Sequence, residues 1–115
     1  MNNKEKLDML LSEFLRQAKI TLGNKIADTI LFGSYARGDY DNESDVDIMV
    51  LLNISREEEY LYNRELVNII EKVYDTLGYS LVLSPIAISN AFFNEWKNDL
   101  PFYKNIATEG VKIVA

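Results

Sequence analysis

Cysteine and histidine are both absent from the 115-residue chain. Without them the protein has no thiol nucleophile, no Ser-His-Asp triad and no zinc site built from the usual ligands. Any metal ion bound here must be held by oxygen atoms, which favours hard cations such as Mg²⁺, Mn²⁺ or Ca²⁺.

Long apolar runs and a surplus of positive charge are also lacking. No apolar stretch approaches the ~20 residues that a membrane span needs. Charges interrupt the N-terminal stretch, so we do not expect a secretory signal. The 12 basic residues are outnumbered by 18 acidic ones, and the net charge of −6 argues against broad binding to nucleic acid. We expect a cytoplasmic protein without membrane contact.

The residues that are present predict one folded domain over residues 1–115, since 48% are hydrophobic and 26% are charged. Helical spacing predicts a first helix from about Asn3 to Leu22, and Ser55 and Glu58 match a capping box that opens another helix. The complete predicted order is helix 3–22, strand 25–32, a turn or short helix, strand 46–52, a helix ending at Gly78, strand 80–88, a helix capped by Ser89 that buries Phe92, Phe93 and Trp96, a helix from Pro101 to Gly110, and an extended end at 111–114. This alternation predicts an α/β (or α+β) fold with a small central sheet.

The segment after the first strand carries Gly33, Ser34 and Arg37. Gly33 allows the backbone to approach a ligand closely because it has no side chain. Ser34 would start a helical turn, where free N–H groups and a hydroxyl suit phosphate, and Arg37 lies one turn further on. The alternative is a capped turn with a solvated arginine, which the Gly-Ser pair alone does not exclude.

Two carboxylates, Asp45 and Asp47, stand at the start of the next apolar strand. Residues i and i+2 of a strand point to the same face, so both side chains could reach one cation, which would remove their mutual repulsion. The alternative is that Asp45 caps the loop and Asp47 meets a basic residue. The apolar run that follows favours the metal site. A calcium loop of the EF-hand type is excluded because the required glycine and glutamate positions do not match.

Gly33-Ser34, ten intervening residues and Asp45-x-Asp47 resemble the signature of the DNA polymerase β-like nucleotidyltransferase superfamily. Within it, the motif and the small size look like the minimal nucleotidyltransferase (MNT) domains. Pro101-Phe102-Tyr103-Lys104-Asn105-Ile106 resembles their C-terminal stretch.

The resemblance implies a small mixed sheet flanked by helices, the polymerase β-like nucleotidyltransferase fold. It implies that Gly33, Ser34 and Arg37 bind the nucleotide and that Asp45 and Asp47 are catalytic and bind Mg²⁺ (or Mn²⁺). The reaction would transfer a nucleoside monophosphate, most often AMP from ATP, to a hydroxyl group of a protein or nucleic acid. The family's usual third carboxylate is missing from the third strand, where Ser84 is our assignment for that position.

Two functions from different classes remain at this stage. The first is a Mg²⁺-dependent nucleotidyltransferase, which the resemblance associates with an antitoxin role toward a HEPN-domain partner. The second is a catalytically weak or inactive module of the same fold that acts by covering a protein partner. Several aromatic residues outside the clear helix stripes also predict a homo- or hetero-oligomer; they are Tyr60, Tyr62, Phe92, Phe93, Trp96, Phe102 and Tyr103.

Overall fold

The structure is a computed structural model that describes residues 1–113. The chain folds into five helices and four strands within this range. In chain order they are α1 (Asn3–Leu22), β1 (Ile26–Phe32), α2 (Ser34–Arg37), β2 (Val46–Leu52), α3 (Glu59–Leu77), β3 (Leu83–Ser89), α4 (Asn90–Trp96), α5 (Pro101–Glu109) and β4 (Val111–Lys112). Short 3₁₀ turns at Gly23–Lys25 and Arg56–Glu58 precede β1 and α3.

The four strands form one mixed sheet in the order β3-β2-β1-β4. Strand β1 is antiparallel to both β2 and β4, whereas β2 and β3 are parallel. The parallel pair is possible because α3 returns the chain to the starting end of the sheet between the two strands. This arrangement confirms the predicted small mixed sheet with flanking helices.

Helices cover both faces of the sheet. On one face α1 and α3 pack against alternate residues of β2, with Phe14, Ile48 and Ile69 completely buried. On the other face Met49 lies in a smaller cluster with side chains of α4 and α5 such as Phe93. Strand β2 is therefore covered on both faces, which explains why its sequence is a continuous apolar run.

Local signals in the sequence account for most helix ends. The capping box of Ser55 and Glu58 is present before α3, and Ser89 accepts a hydrogen bond from the backbone N–H of Phe92 at the start of α4. Gly23 and Gly78 follow the last residues of α1 and α3 with positive φ angles of 57° and 82°. These predicted boundaries are confirmed.

Two details of the prediction are wrong. Strand β3 begins at Leu83 and not at Ser80, because β2 offers pairing only from Val46, the partner of Leu83. Trp96 is not buried but 38% exposed, since the seven-residue α4 turns only Phe93 squarely toward the sheet. The predicted extended end is found as β4, while its last residue, Val114, lies outside the described residues.

The aromatic residues expected at contact surfaces differ in exposure, and Tyr62 and Phe92 are partly buried. Phe93 and Tyr103 are buried in the second cluster, so the small domain covers more aromatic surface than expected. Tyr60, Trp96 and Phe102 are exposed. Within residues 1–113, no helix is both long and apolar enough to cross a bilayer.

Candidate active site

The candidate site lies where β1 ends and β2 begins. Phe32, the last residue of β1, pairs with Asp47 in β2. Between these two residues the chain makes the short helix α2 and an exposed loop. The antiparallel pairing therefore returns the chain so that the Gly-Ser turn and the Asp-x-Asp pair meet at one edge of the sheet.

Gly33 fits this edge because it lacks a side chain. A Cβ atom at this position would overlap with Oδ2 of Asp47. The φ angle of Gly33 is 75°, a conformation that side-chain-bearing residues rarely adopt. Glycine is thus required both by the backbone turn and by the space that the Asp47 carboxylate occupies.

Asp45 and Asp47 are brought together without a counter-ion in contact. Asp47 is half-buried on the sheet face that carries α4 and α5, whereas Asp45 immediately precedes β2 and is exposed. Burial raises the pKa of Asp47, the nearby Asp45 charge raises it further, and Arg37 partly offsets the shift. In residues 1–113 neither carboxylate has a hydrogen bond or salt bridge from another side chain. Two such anions form an oxygen donor set that fits a hard divalent cation.

Ser84 is the neighbour of Asp47 on the next strand. The parallel register pairs the two residues, so their side chains share one face of the sheet, and Ser84 is exposed. No cluster of three acidic, histidine or cysteine residues with metal-binding geometry exists in the described part of the chain. Asp75 and Glu95, the acids that flank the third strand in the sequence, therefore do not replace the missing carboxylate.

Ser34 and Arg37 are the first and last residues of α2. The backbone N–H groups of Ala36 and Arg37 both donate to the carbonyl of Gly33, and the earlier N–H groups of the turn have no helical partner. The guanidinium of Arg37 contacts Asp39 at 3.3 Å and Glu109 at 3.7 Å. These ion pairs are exposed and contribute little stability, so Arg37 can exchange them for a phosphate at small cost.

The acidic loop before Asp45 has more internal order than expected for a merely solvated segment. The ring of Tyr40 stacks on that of Tyr35 in α2, with centroids 4.3 Å apart. The Asp41 carboxylate accepts the backbone N–H of Glu43 at 2.8 Å, and Ser44 accepts that of Asp41 at 2.9 Å. The loop is thus held on α2, which fixes the direction from which Asp45 enters the site.

A small cleft opens beside these residues and was missed by sequence reasoning. Phe102 and Asn105 of α5 line it together with Phe32, Gly33 and Arg37. The aromatic residues of α5 indicated only a contact surface at the sequence level, because nothing local to α5 reveals that it packs next to Gly33. The structure therefore brings together Gly33, Ser34, Arg37, Asp45 and Asp47, and adds a wall from the C-terminal helix.

Several known proteins are similar to this chain. One protein of Methanocaldococcus jannaschii, named as a putative protein adenylyltransferase, is 38% identical over 93 residues, which cover 77% of this chain and 90% of that protein. A second protein of the same name and organism is 34% identical over 108 residues, covering 94% and 95% of the two chains. The crystal structure of a putative nucleotidyltransferase from Sulfolobus solfataricus is 15% identical, with a TM-score of 0.46 and coverage of 95% and 82%.

The family match extends over nearly all of the described chain. Residues 9–113 match the family described as Nucleotidyltransferase domain. The matched range includes both the Gly-Ser turn and the Asp-x-Asp pair. It follows that this chain belongs to the nucleotidyltransferase domain family, as the resemblance of its motif implied.

Proposed function

We propose that the protein transfers the AMP group of ATP to a hydroxyl group of another protein and releases pyrophosphate. The bond between the acceptor oxygen and the α-phosphorus forms as the bond to pyrophosphate breaks. Family membership supports the nucleotidyl transfer. The names of the two Methanocaldococcus jannaschii relatives support AMP as the group and a protein as the acceptor.

The observation that carries the proposal is the pair of unpartnered carboxylates, Asp45 and Asp47, beside a glycine that no other residue can replace without overlap. Keeping Asp47 charged costs free energy, because burial and then the nearby Asp45 charge raise its pKa. A purely structural role would have paired them with Arg37 or a lysine. A divalent cation shared with phosphate oxygens would remove this cost, and the two carboxylates would serve to bind that cation.

The neighbouring residues fit the handling of a triphosphate. Gly33 and Ser34 would bind phosphate oxygens through backbone N–H groups and the hydroxyl, and Arg37 would add a positive charge. Asp45 and Asp47 would hold Mg²⁺ or Mn²⁺. When bound, such an ion neutralises phosphate charge and orients the reacting groups.

The acceptor belongs to the same proposal. The resemblance to the MNT branch suggests a HEPN-domain protein, which AMP transfer would silence, so that this chain would act as its antitoxin. The exposed side chains of Tyr60 and Trp96 support an oligomer or a complex with such a partner. Light scattering of the chain, alone and mixed with a HEPN-domain protein, measures whether either assembly forms.

The experiment that tests the reaction combines labelled ATP, Mg²⁺ and acceptor protein, followed by calorimetry of ATP binding. Wild type should transfer label and should bind ATP more tightly with Mg²⁺ than with EDTA. The Asp47→Asn variant should lose this metal dependence and about 10³-fold in rate, because metal stabilisation of the transition state is worth several kcal/mol. ATP binding that is equally tight in EDTA would show that the assignment of the two aspartates is wrong.

One observation favours a second function, that of a binding module that covers its partner without catalysis. Ser84 occupies the position beside Asp47, and a hydroxyl is a far weaker ligand for Mg²⁺ than a carboxylate. Under this alternative the partner binds and is inhibited equally well by wild type and Asp47→Asn. Under the enzymatic proposal, inhibition requires ATP, Mg²⁺ and Asp47.

A further inference from the structure

The cleft between the end of β1 and helix α5 is continuous with the candidate site. It has a volume of about 180 Å³, and Gly33 and Arg37 line it as well as the site itself. Phe32 forms part of its wall and pairs directly with Asp47. Clefts that hold a whole drug-sized ligand measure roughly 300–1,000 Å³, so this one has room for one ring system of a larger ligand.

The side chains that α5 contributes are an aromatic ring, a free amide, the buried Ile106 and the Glu109 carboxylate, which lies 3.7 Å from the Arg37 guanidinium. Phe102 is 52% exposed, and its ring packs at 84° against that of Phe32, with centroids 5.8 Å apart. Asn105 has no side-chain hydrogen bond to any residue in the range 1–113. An exposed aromatic ring and an uncommitted amide side by side are the pair of groups with which proteins stack and read a nucleobase.

We propose that this cleft is the base subsite of the nucleotide and that it selects adenine. Phe102 stacks on the ring, and the amide of Asn105 accepts from the N6 amino group and donates to the adjacent ring nitrogen. The N6/N7 edge of adenine offers one donor and one acceptor to such an amide, whereas the O6/N7 edge of guanine offers two acceptors. This inference rests on the proposed function, since it places the phosphates of the same nucleotide at Gly33 and Ser34.

The test separates the base from the phosphates by using ATP and inorganic tripolyphosphate, each with Mg²⁺, as calorimetric probes. The Phe102→Ala change should raise the Kd for ATP by about 5- to 150-fold, the usual loss for one stacked base, and leave tripolyphosphate binding unchanged. Phe102→Leu keeps an apolar contact with Phe32 but offers no stacking surface, so it should also weaken ATP selectively. Phe102→Trp should preserve ATP binding.

Matched variants control for general effects of removing an aromatic ring or an amide. Trp96→Ala removes another exposed aromatic residue from outside the cleft and should leave the Kd for ATP unchanged. Asn105→Ala should bring the affinities for ATP and GTP close together, while Asn68→Ala on α3 should not. Circular dichroism melting curves verify that each variant is folded.

Three results would overturn the inference. In the first, Phe102→Ala and Phe102→Leu either leave ATP binding intact, which would mean that no base stacks on Phe102, or weaken the binding of ATP and tripolyphosphate equally. Equal weakening would assign Phe102 to the integrity of the site. The variants could instead raise only the KM for the acceptor protein, which would assign the cleft to the acceptor. If wild type binds neither ATP nor tripolyphosphate with Mg²⁺, the proposed function fails together with the base subsite; the other outcomes leave it standing.

Discussion

Strand β3 borders two polar regions. In one the polar groups are paired within the protein, and in the other the carboxylates are not. Along its outer edge, side chains of α3 occupy the backbone donors. The N–H of Leu83 donates to the Tyr74 hydroxyl at 2.8 Å, and that of Ala87 donates to Oδ1 of Asn63 at 2.8 Å. The N–H of Ser89 donates to the Glu59 carboxylate at 2.8 Å. The alternate position between them is Pro85, which has no N–H to satisfy.

At the start of the same strand, the carboxylates of Asp45 and Asp47 beside Ser84 have no such partners among residues 1–113. The contrast separates polar groups that stabilise the fold from polar groups that are available to a ligand. The outer edge is closed by α3, so it cannot template pairing with another chain. The aspartate pair keeps an electrostatic cost that Arg37 only partly offsets, which is typical of a site that awaits a ligand.

The largest expected gain in activity comes from supplying the partner that the aspartate pair lacks. Ser84→Asp places a third carboxylate beside Asp47 and should raise AMP transfer by about 10²-fold, the lower range for a positioned base. It should also tighten Mg²⁺ binding. Because Ser84 is exposed, we expect little loss of stability when Mg²⁺ and ATP are present. Assays with labelled ATP measure the rate.

Ser84→Asn is the matched control, because asparagine has the shape of aspartate without its charge. It should not raise the rate of AMP transfer. Adding Asp45→Asn to the Ser84→Asp variant should cancel the gain, because the new carboxylate acts only through a shared ion. Loss of stability without any increase in rate would show that Ser84 has a packing role.

A second prediction narrows the space beside Asp47. Gly33→Ala combines an unfavourable φ of 75° with overlap on the Asp47 carboxylate, and it should cost about 1–3 kcal/mol of unfolding free energy. Gly78→Ala has a similar φ of 82° but meets no atom within 4 Å. Urea denaturation of both variants separates strain from overlap. Only Gly33→Ala should also reduce AMP transfer, and equal effects of the two variants on the rate would contradict the site assignment.

A third prediction removes hydrogen bonds between α3 and the outer edge of β3. Asn63→Ala removes both hydrogen bonds to Ala87, including one from Nδ2 to the Ala87 carbonyl at 3.2 Å. Leaving these backbone groups unpaired should cost about 1–3 kcal/mol. Urea denaturation measures the loss, and Asn68→Ala, an exposed position on the same helix, should cost much less. AMP transfer at 25 °C should be unchanged, and a large loss of activity in folded Asn63→Ala would argue against the separation of the two regions.

The smallest expected effect concerns pH. The pKa of Asp47 is raised in the folded protein by burial and by Asp45, so the folded state binds the proton more tightly than the unfolded state. Its contribution to stability is complete below the unfolded pKa of about 3.9 and is lost as pH rises through the higher folded pKa.

In EDTA, Asp47→Asn should therefore be more stable than wild type at neutral pH, by a margin that shrinks as pH falls. Thermal melting of both proteins between about pH 4 and pH 7 measures this margin. The other carboxylates are common to the two proteins and cancel in the difference. A margin that grows on acidification would mean that the Asp47 carboxylate is paired in the folded protein.

Features that depend on neighbouring residues can be predicted from the sequence alone. Residues within a few positions of each other account for three such features. These are the helix ends at Gly23 and Gly78, the capping box of Ser55 and Glu58, and the buried strand β2. The motif also indicated Asp45 and Asp47, which lie two positions apart where an apolar strand begins.

Which distant residues meet at the site depends on how the helices and strands pack. The β2–β3 register places Ser84 beside Asp47, and a shift by one residue would turn Ser84 to the other face. The packing of α5 sets Phe102 and Asn105 next to Gly33, and α3 closes the outer edge of β3 through Asn63. These contacts join residues far apart in the chain. They are set by which faces pack together across the sheet, and no local spacing encodes that choice.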